Sequence, residues 1–227
     1  MMNDIFHISS EKLFVETVVN SIHSRIMKKL LEGGIFRLAL SGGSTPGPIY
    51  SALAVMRDID WSRVEIYEVD ERYVNKEDHL SNYFLLRNTL IDLLEMVPAR
   101  FVFFDSTYEL DEALEKVEGE LDASDSEFFD LVLLGIGSDG HIASLFPGSA
   151  ALRETRRWVA HTQTDRFDGR DRMTLTFPAL ESSKEIFFLV RGKAKREVLE
   201  SVYQQGSTLP AARLVQLERS RVFYADL

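Results

Sequence analysis

Short apolar runs with the composition of β-strands alternate with longer amphipathic runs along the whole chain, and this alternation restricts the fold more than any other feature. Strand-like runs occupy residues 4–8, 35–40, 64–69, 101–103, 129–134, 158–160, 186–190 and 221–224. Helical spacing lies between them. Leu13, Phe14, Val18, Ile22, Ile26 and Leu30 recur every three or four positions behind the capping residues Ser9 and Ser10, and Gly33-Gly34 ends that run. Further helices are expected from Thr45-Pro46, with Thr45 as cap, over residues 81–95, over the acidic stretch 108–121, and over 193–203. Strand–helix alternation calls for an α/β fold: a mostly parallel open sheet with helices on both faces, Rossmann-like in a modified order. With 227 residues and no repeat, low-complexity tract or linker, a single domain over residues 1–227 is expected.

Composition removes several function classes. The 45% apolar and 27% charged content is that of a soluble globular chain. There are no cysteines, which excludes disulfides, thiolate metal sites, iron–sulfur clusters and cysteine nucleophiles. No basic segment followed by an apolar one opens the sequence and no run is long enough to span a membrane, so a cytoplasmic location is expected. The net charge of −10 argues against nucleic acid and anionic membrane as partners. That charge is uneven, about −13 over residues 1–130 and +3 over 131–227, so cations for a small anionic ligand are expected in the later part.

In parallel sheets ligands collect beyond the carboxyl ends of the strands, so the loops that leave strands carry the functional argument. Leu40-Ser41-Gly42-Gly43-Ser44-Thr45-Pro46 offers adjacent glycines, two hydroxyls and a helix start, a suitable cradle for a phosphate. It is not a P-loop, since no G-x-x-x-x-G-K-[ST] occurs. Asp70-Glu71-Arg72 ends an apolar strand; Asp70 could orient a base or act as one, and Arg72 could hold a phosphate or a carboxylate. Gly135-Ile136-Gly137-Ser138-Asp139-Gly140 spells the dinucleotide fingerprint, yet Phe146-Pro147-Gly148 follows too soon for the crossover helix that motif opens. His141, directly after these glycines and at an expected helix start, is the candidate general base. His7, His23, His79 and His161 have no such setting. Lys195 is a candidate anion ligand, and Arg172, before Met173-Thr174-Leu175-Thr176, is a further cation without an evident partner. No G-x-S-x-G elbow, no H-E-x-x-H and no metal-ligand cluster is present, so hydrolysis here needs an activated water, with no metal or cofactor expected.

Together these stretches resemble the 6-phosphogluconolactonase family. The resemblance rests on Leu38-Ala39-Leu40-Ser41-Gly42-Gly43-Ser44-Thr45-Pro46, Asp70-Glu71-Arg72, Ser81-Asn82-Tyr83, the block from Gly135 through Asp139-Gly140-His141-Ile142-Ala143-Ser144-Leu145-Phe146-Pro147-Gly148, Arg172-Met173-Thr174-Leu175-Thr176 and Gly192-Lys193-Ala194-Lys195. It is similar as well to glucosamine-6-phosphate deaminases, but those continue Phe-Asn-Glu-Pro where this chain has Ser144-Leu145-Phe146-Pro147, and carry Asp-Glu-Tyr where it has Asp70-Glu71-Arg72. The resemblance implies metal-free hydrolysis of 6-phosphoglucono-δ-lactone in the oxidative pentose phosphate pathway. His141 would activate water, Asp70 would assist, and Gly42, Gly43, Ser44, Thr45, Arg72, Arg172 and Lys195 would bind the phosphorylated substrate. The alternatives are a deaminase-like enzyme and a non-catalytic sugar-phosphate-binding domain.

Overall fold

The computed structural model describes residues 5–227; Asp4, the first residue of the first expected strand, lies outside the described residues. Seven strands form one parallel sheet: β1 (Ile5–Ile8), β2 (Phe36–Leu40), β3 (Val64–Glu68), β5 (Arg100–Val102), β6 (Phe129–Leu134), β9 (Ser183–Arg191) and β10 (Ser220–Ala225), in the spatial order β1-β10-β9-β6-β2-β3-β5. The remaining three, β4 (Asp70–Arg72), β7 (Val159–Gln163) and β8 (Asp171–Leu175), form a small antiparallel sheet in the order β4-β8-β7.

Alternation along each strand divides the apolar residues between two cores. Leu38, Leu40, Leu131, Leu133 and Phe187 face one side, against α1 (Glu11–Leu31) and α2 (Gly47–Ala54), where Phe14, Val18, Ile22, Ile26 and Leu53 are buried. Ala39, Val132, Leu134, Ile186 and Phe188 face the other, against α4 (Leu110–Glu118), α5 (Phe177–Glu181), α6 (Arg196–Tyr203) and α7 (Pro210–Val215). β6 is buried at every position, as a central strand covered on both faces must be.

From β2 the chain adds β3 and then β5 on one side, and from β6 it adds β9 and then β10 on the other, where β10 pairs with the first strand, β1, at the edge. The order therefore switches between β2 and β6, and the two loops leaving these strands part there to open a crevice.

Several boundaries differ from those expected. Asp70-Glu71-Arg72 is a strand, not a loop; three charged residues carry no alternation to reveal it, and its partner β8, also unexpected, lies a hundred residues on. α2 starts at Gly47, with Pro46 already in helical geometry as its cap, so Thr45 does not cap it. The 81–95 helix is shorter: α3 (Asn82–Thr89) stops where Leu90 turns non-helical, and a 3₁₀ turn, Ile91–Leu93, follows. The acidic helix contracts to α4. The 193–203 helix opens as a 3₁₀ turn, Lys193–Lys195, before α6. No helix starts at His141: residues 135–149 are an irregular loop containing Ala143 at φ 49°.

Candidate active site

A cavity of about 470 Å³ opens beyond the carboxyl ends of β2 and β6. Every residue expected at the site lines it: Gly42, Gly43, Ser44, Thr45, Asp70, Arg72, His141, Arg172 and Lys195. Its floor is the loop after β2. The Tyr50 hydroxyl donates to the Ser41 carbonyl at 2.7 Å and ties the loop to α2. A Cβ on Gly42 would stand 1.8 Å from Asn82 Oδ1, so glycine is required for this close approach. Gly43 follows at φ +98°. Among the described residues no acceptor takes the main-chain N–H groups of Gly43, Ser44 or Thr45, and neither hydroxyl has a protein partner. Consecutive free N–H groups leading into a helix suit an anion.

The second wall is β4 with the start of α3. The Glu71 carboxylate accepts from Arg72 N (2.6 Å), Asn82 N (2.8 Å), Tyr83 N (2.8 Å) and Ser81 Oγ (2.7 Å), so one buried acid fastens the helix start to the strand. Burial holds its pKa above the ordinary range in spite of those donors. Asn82 then donates to the Asp70 carbonyl (2.7 Å) and accepts from Arg72 Nη1 (3.2 Å). Arg72 also donates to the Leu80 carbonyl, and its Nε is buried without a partner. Arg172 stands opposite Arg72 in the antiparallel register. It donates to the carbonyls of Gly169 (2.5 Å) and Asp168. Burial, opposed by Asp70 and reinforced by Arg72, holds its pKa below the usual arginine range. Neither guanidinium meets a carboxylate in an ion pair among the described residues.

The third wall is the loop after β6. Asp139 and His141 are two residues apart, the spacing of an Asx turn. The Asp139 carboxylate accepts from His141 N (3.2 Å) and lies 2.5 Å from His141 Nδ1. A Cβ on Gly137 would collide with the imidazole at 2.1 Å, so this glycine makes room for the ring. The His141 ring packs on Phe146 and Phe167, with centroids 4.8 and 4.9 Å away. Burial pushes its pKa below the ordinary value; Asp139 and Asp70 pull upward and Lys195 adds to the depression. Burial also opposes ionisation of Asp139, but His141's hydrogen bond and charge outweigh it and keep that carboxyl below the ordinary range. Lys195 closes the site, its Nζ donating to the Ile136 carbonyl at 2.7 Å, and burial lowers its pKa.

The acid that touches His141 is thus Asp139, not Asp70. The Asp70 carboxylate accepts from Ser144 Oγ at 2.6 Å and faces the cavity from the opposite wall. Asp139, Asn82 and Phe167 were not singled out from the sequence for a role. The Asp-Gly-His spacing could have identified Asp139; nothing local could have identified Phe167, which arrives from the β7–β8 hairpin. The other histidines lie away from the cavity: His23 on Asp58 (2.8 Å), His79 on Asp78 (3.0 Å), His161 on Asp171 (2.8 Å) and His7 against the Tyr224 ring.

The fold belongs to a known class. The family described as glucosamine-6-phosphate isomerases/6-phosphogluconolactonase matches residues 9–224. A Dictyostelium discoideum protein described as "Probable 6-phosphogluconolactonase" is 35% identical over 224 residues, covering 95% of this chain and 91% of that one. The 6-phosphogluconolactonase of Rhizobium meliloti is 34% identical, over 84% of this chain and 83% of its own. The crystal structure of 6-phosphogluconolactonase from Thermotoga maritima superposes with a TM-score of 0.87 at 30% identity, covering 98% of this chain and 99% of that one. The chain belongs to the glucosamine-6-phosphate isomerase/6-phosphogluconolactonase family. No helix among the described residues is long and apolar enough to cross a membrane.

Proposed function

We propose that this chain hydrolyses 6-phosphoglucono-δ-lactone to 6-phosphogluconate as a single-domain cytoplasmic enzyme, with His141 as general base and no metal or cofactor. The observation that carries the reading is the pairing across one cavity of a partly buried, carboxylate-oriented imidazole with an N–H cradle that has no protein acceptor and with cations outside any ion pair among the described residues. The relatives' lactonase activity supports the same substrate.

The chemistry follows from the contacts. The Nδ1–H donates to the ionised Asp139 carboxylate, which leaves Nε2 as the acceptor. Burial keeps the ring neutral, as a base requires. Nε2 takes a proton from water as its oxygen bonds to the lactone carbonyl carbon. The resulting tetrahedral oxyanion needs donors, and Arg72 and Arg172 are cations without a carboxylate. When the bond from that carbon to the ring oxygen breaks, the imidazolium returns the proton to the leaving oxygen. The cradle of Gly42, Gly43, Ser44 and Thr45, with Lys195, holds the phosphate and so fixes the carbonyl against the base. Asp70 faces the reacting end and orients either water or substrate.

The test is a coupled assay in which glucose-6-phosphate dehydrogenase generates the lactone in place, corrected for spontaneous opening, beside glucosamine-6-phosphate as competing substrate. Lactone consumption well above the spontaneous rate without ammonia release is expected. Ammonia release at a comparable rate would move the chain to the deaminase side of the family. Binding of either sugar phosphate without turnover would make it a sensor.

A further inference from the structure

The hairpin joining β7 to β8 reaches over the cavity from the far side of the small sheet. Thr164 N bonds the Arg170 carbonyl at 3.0 Å and closes its neck. From its tip, Phe167 places its ring 4.9 Å from the His141 ring, the two planes at 65°, and 6.0 Å from Phe146. Arg166 brings Nη1 to 3.6 Å from Asp139 Oδ2. That oxygen is buried and has no hydrogen-bond partner, so Arg166 is the one cation that meets it among the described residues. We propose that Arg166 and Phe167 are positioning residues for the general base: the hairpin tip fixes the orientation of the His141 imidazole, excludes water from its face, and holds Asp139 as the carboxylate that orients it.

The proposal rests on the reading of His141 as base, and its physical content is separate. An imidazole packed between two aromatic rings loses hydration that its charged form needs. Burial is the largest influence on His141, ahead of the opposing Asp139 and Asp70 and the reinforcing Lys195. Phe146 comes from the same loop as the histidine, whereas Phe167 is supplied from a distant segment and can be removed without touching that loop. Arg166 acts one step further out. Its positive charge offsets Asp139, which otherwise draws a proton onto the ring. Truncating Phe167 and neutralising Arg166 should therefore both move His141 toward easier protonation. The same tip supplies the Gly169 and Asp168 carbonyls that hold Arg172, so it touches two opposite walls of the cavity.

The experiment is an NMR titration of the histidine rings in the full chain, with the His141 resonance assigned by its loss in H141N, run beside kcat and KM against pH. Phe167→Ala should raise the His141 midpoint and lower kcat by about 10- to 100-fold, since small misplacements of a reacting group cost that much. The loss should be greatest at the acid end, with KM changed less than kcat. Phe167→Leu keeps apolar bulk at the hairpin and should recover most of the wild-type midpoint. Arg166→Gln should shift the midpoint upward by less, and Arg166→Lys should restore it. A His141 midpoint in Phe167→Ala equal to wild type, or a kcat loss identical at every pH, would overturn the positioning role. If H141N instead retains kcat, the base assignment falls, and the ring titrations still decide whether the tip controls His141.

Discussion

The two ends of the parallel sheet carry the same kinds of cation and use them differently. At the amino ends, cations are matched to acids. Arg25 forks onto Glu185 at 3.0 and 3.1 Å, Lys29 and Lys184 share Asp130 at 3.1 and 2.9 Å, and Arg37 bridges Glu65 and Asp125 at 3.2 Å each. At the carboxyl ends, the side chains of Arg72, Arg172 and Lys195 donate, among the described residues, only to neutral oxygens. Arg191, at the end of β9, is the counter-example, paired with Glu11. A matched cation is complete; a half-buried one without a counter-charge is costly unless something else supplies the charge. What separates scaffold from site is therefore the absence of carboxylate partners, not the density of positive charge.

The contrast can be broken most directly at His141. A positioned general base contributes typically 10²–10⁴-fold, so His141→Asn should lower kcat by about that range, with product binding largely kept. Wild-type kcat should fall as pH drops through the titration of His141, a fall placed below the ordinary histidine range because burial favours the neutral ring. Asp139→Asn should reduce kcat as well, because an amide cannot stabilise the imidazolium. Unchanged kcat in both variants would return attention to Asp70. Next in size is Lys195→Ala. A charge-assisted hydrogen bond is worth roughly 1.5–3 kcal/mol, so KM should rise about 10- to 100-fold with a smaller effect on kcat. The increase should vanish with the unphosphorylated lactone, and an equal increase for both substrates would remove Lys195 from the phosphate site.

The sheet was legible because its signals are local. Alternation in residues 64–69 and the apolar run 129–134 place strands without knowledge of their neighbours. The cavity loops were legible for the same reason, since glycines and hydroxyls sit directly after strand ends. What escaped was non-local. β4 is three charged residues whose pairing with β8 defines it, and Phe167 reaches His141 only because that pairing folds the hairpin over the cavity. Of the two roles weighed for Asp70, orienting the imidazole has no contact behind it, and orienting a water is the one retained. Asp70 points toward Ser144 across a buried hydrogen bond, while Asp139, two residues from the imidazole, is held against it by a turn.

At the amino ends, loss of a partner should cost stability and leave catalysis alone. Asp130 accepts from Lys29, Lys184 and Arg37 N, and its side chain is largely buried. Asp130→Asn should destabilise by about 1–3 kcal/mol, a loss of charged hydrogen bonds. At about 2–4 °C per kcal/mol for a chain this size, thermal unfolding reads it easily. kcat at a temperature well below unfolding should equal wild type. A parallel loss of kcat would mean the two ends of the sheet are coupled and the contrast between them is false.

The smallest expected effect concerns Glu68, an acid at the carboxyl end of β3 that meets, among the described residues, none of the cations its counterparts at the other end possess. Its Oε2 accepts from Phe104 N at 2.9 Å, and its Oε1 is buried without a partner. Burial, with the neighbouring Glu71 carboxylate adding to it, raises its pKa well above 4.5. A carboxyl whose folded value is raised takes up a proton on folding. Its contribution to stability is complete below the unfolded value and is lost as pH rises through the folded one. Glutamine keeps the acceptor for Phe104 and carries no such proton. Glu68→Gln should therefore be more stable than wild type on the alkaline side, by about 1 kcal/mol, the worth of one buried polar group relieved of mismatch. The difference should shrink as pH falls and the wild-type carboxyl protonates. Chemical denaturation across pH reads this directly. Parallel stability curves for the two proteins would mean that Glu68 is ionised in the fold, and that an unpaired charge is tolerated at this end of the sheet whatever its sign.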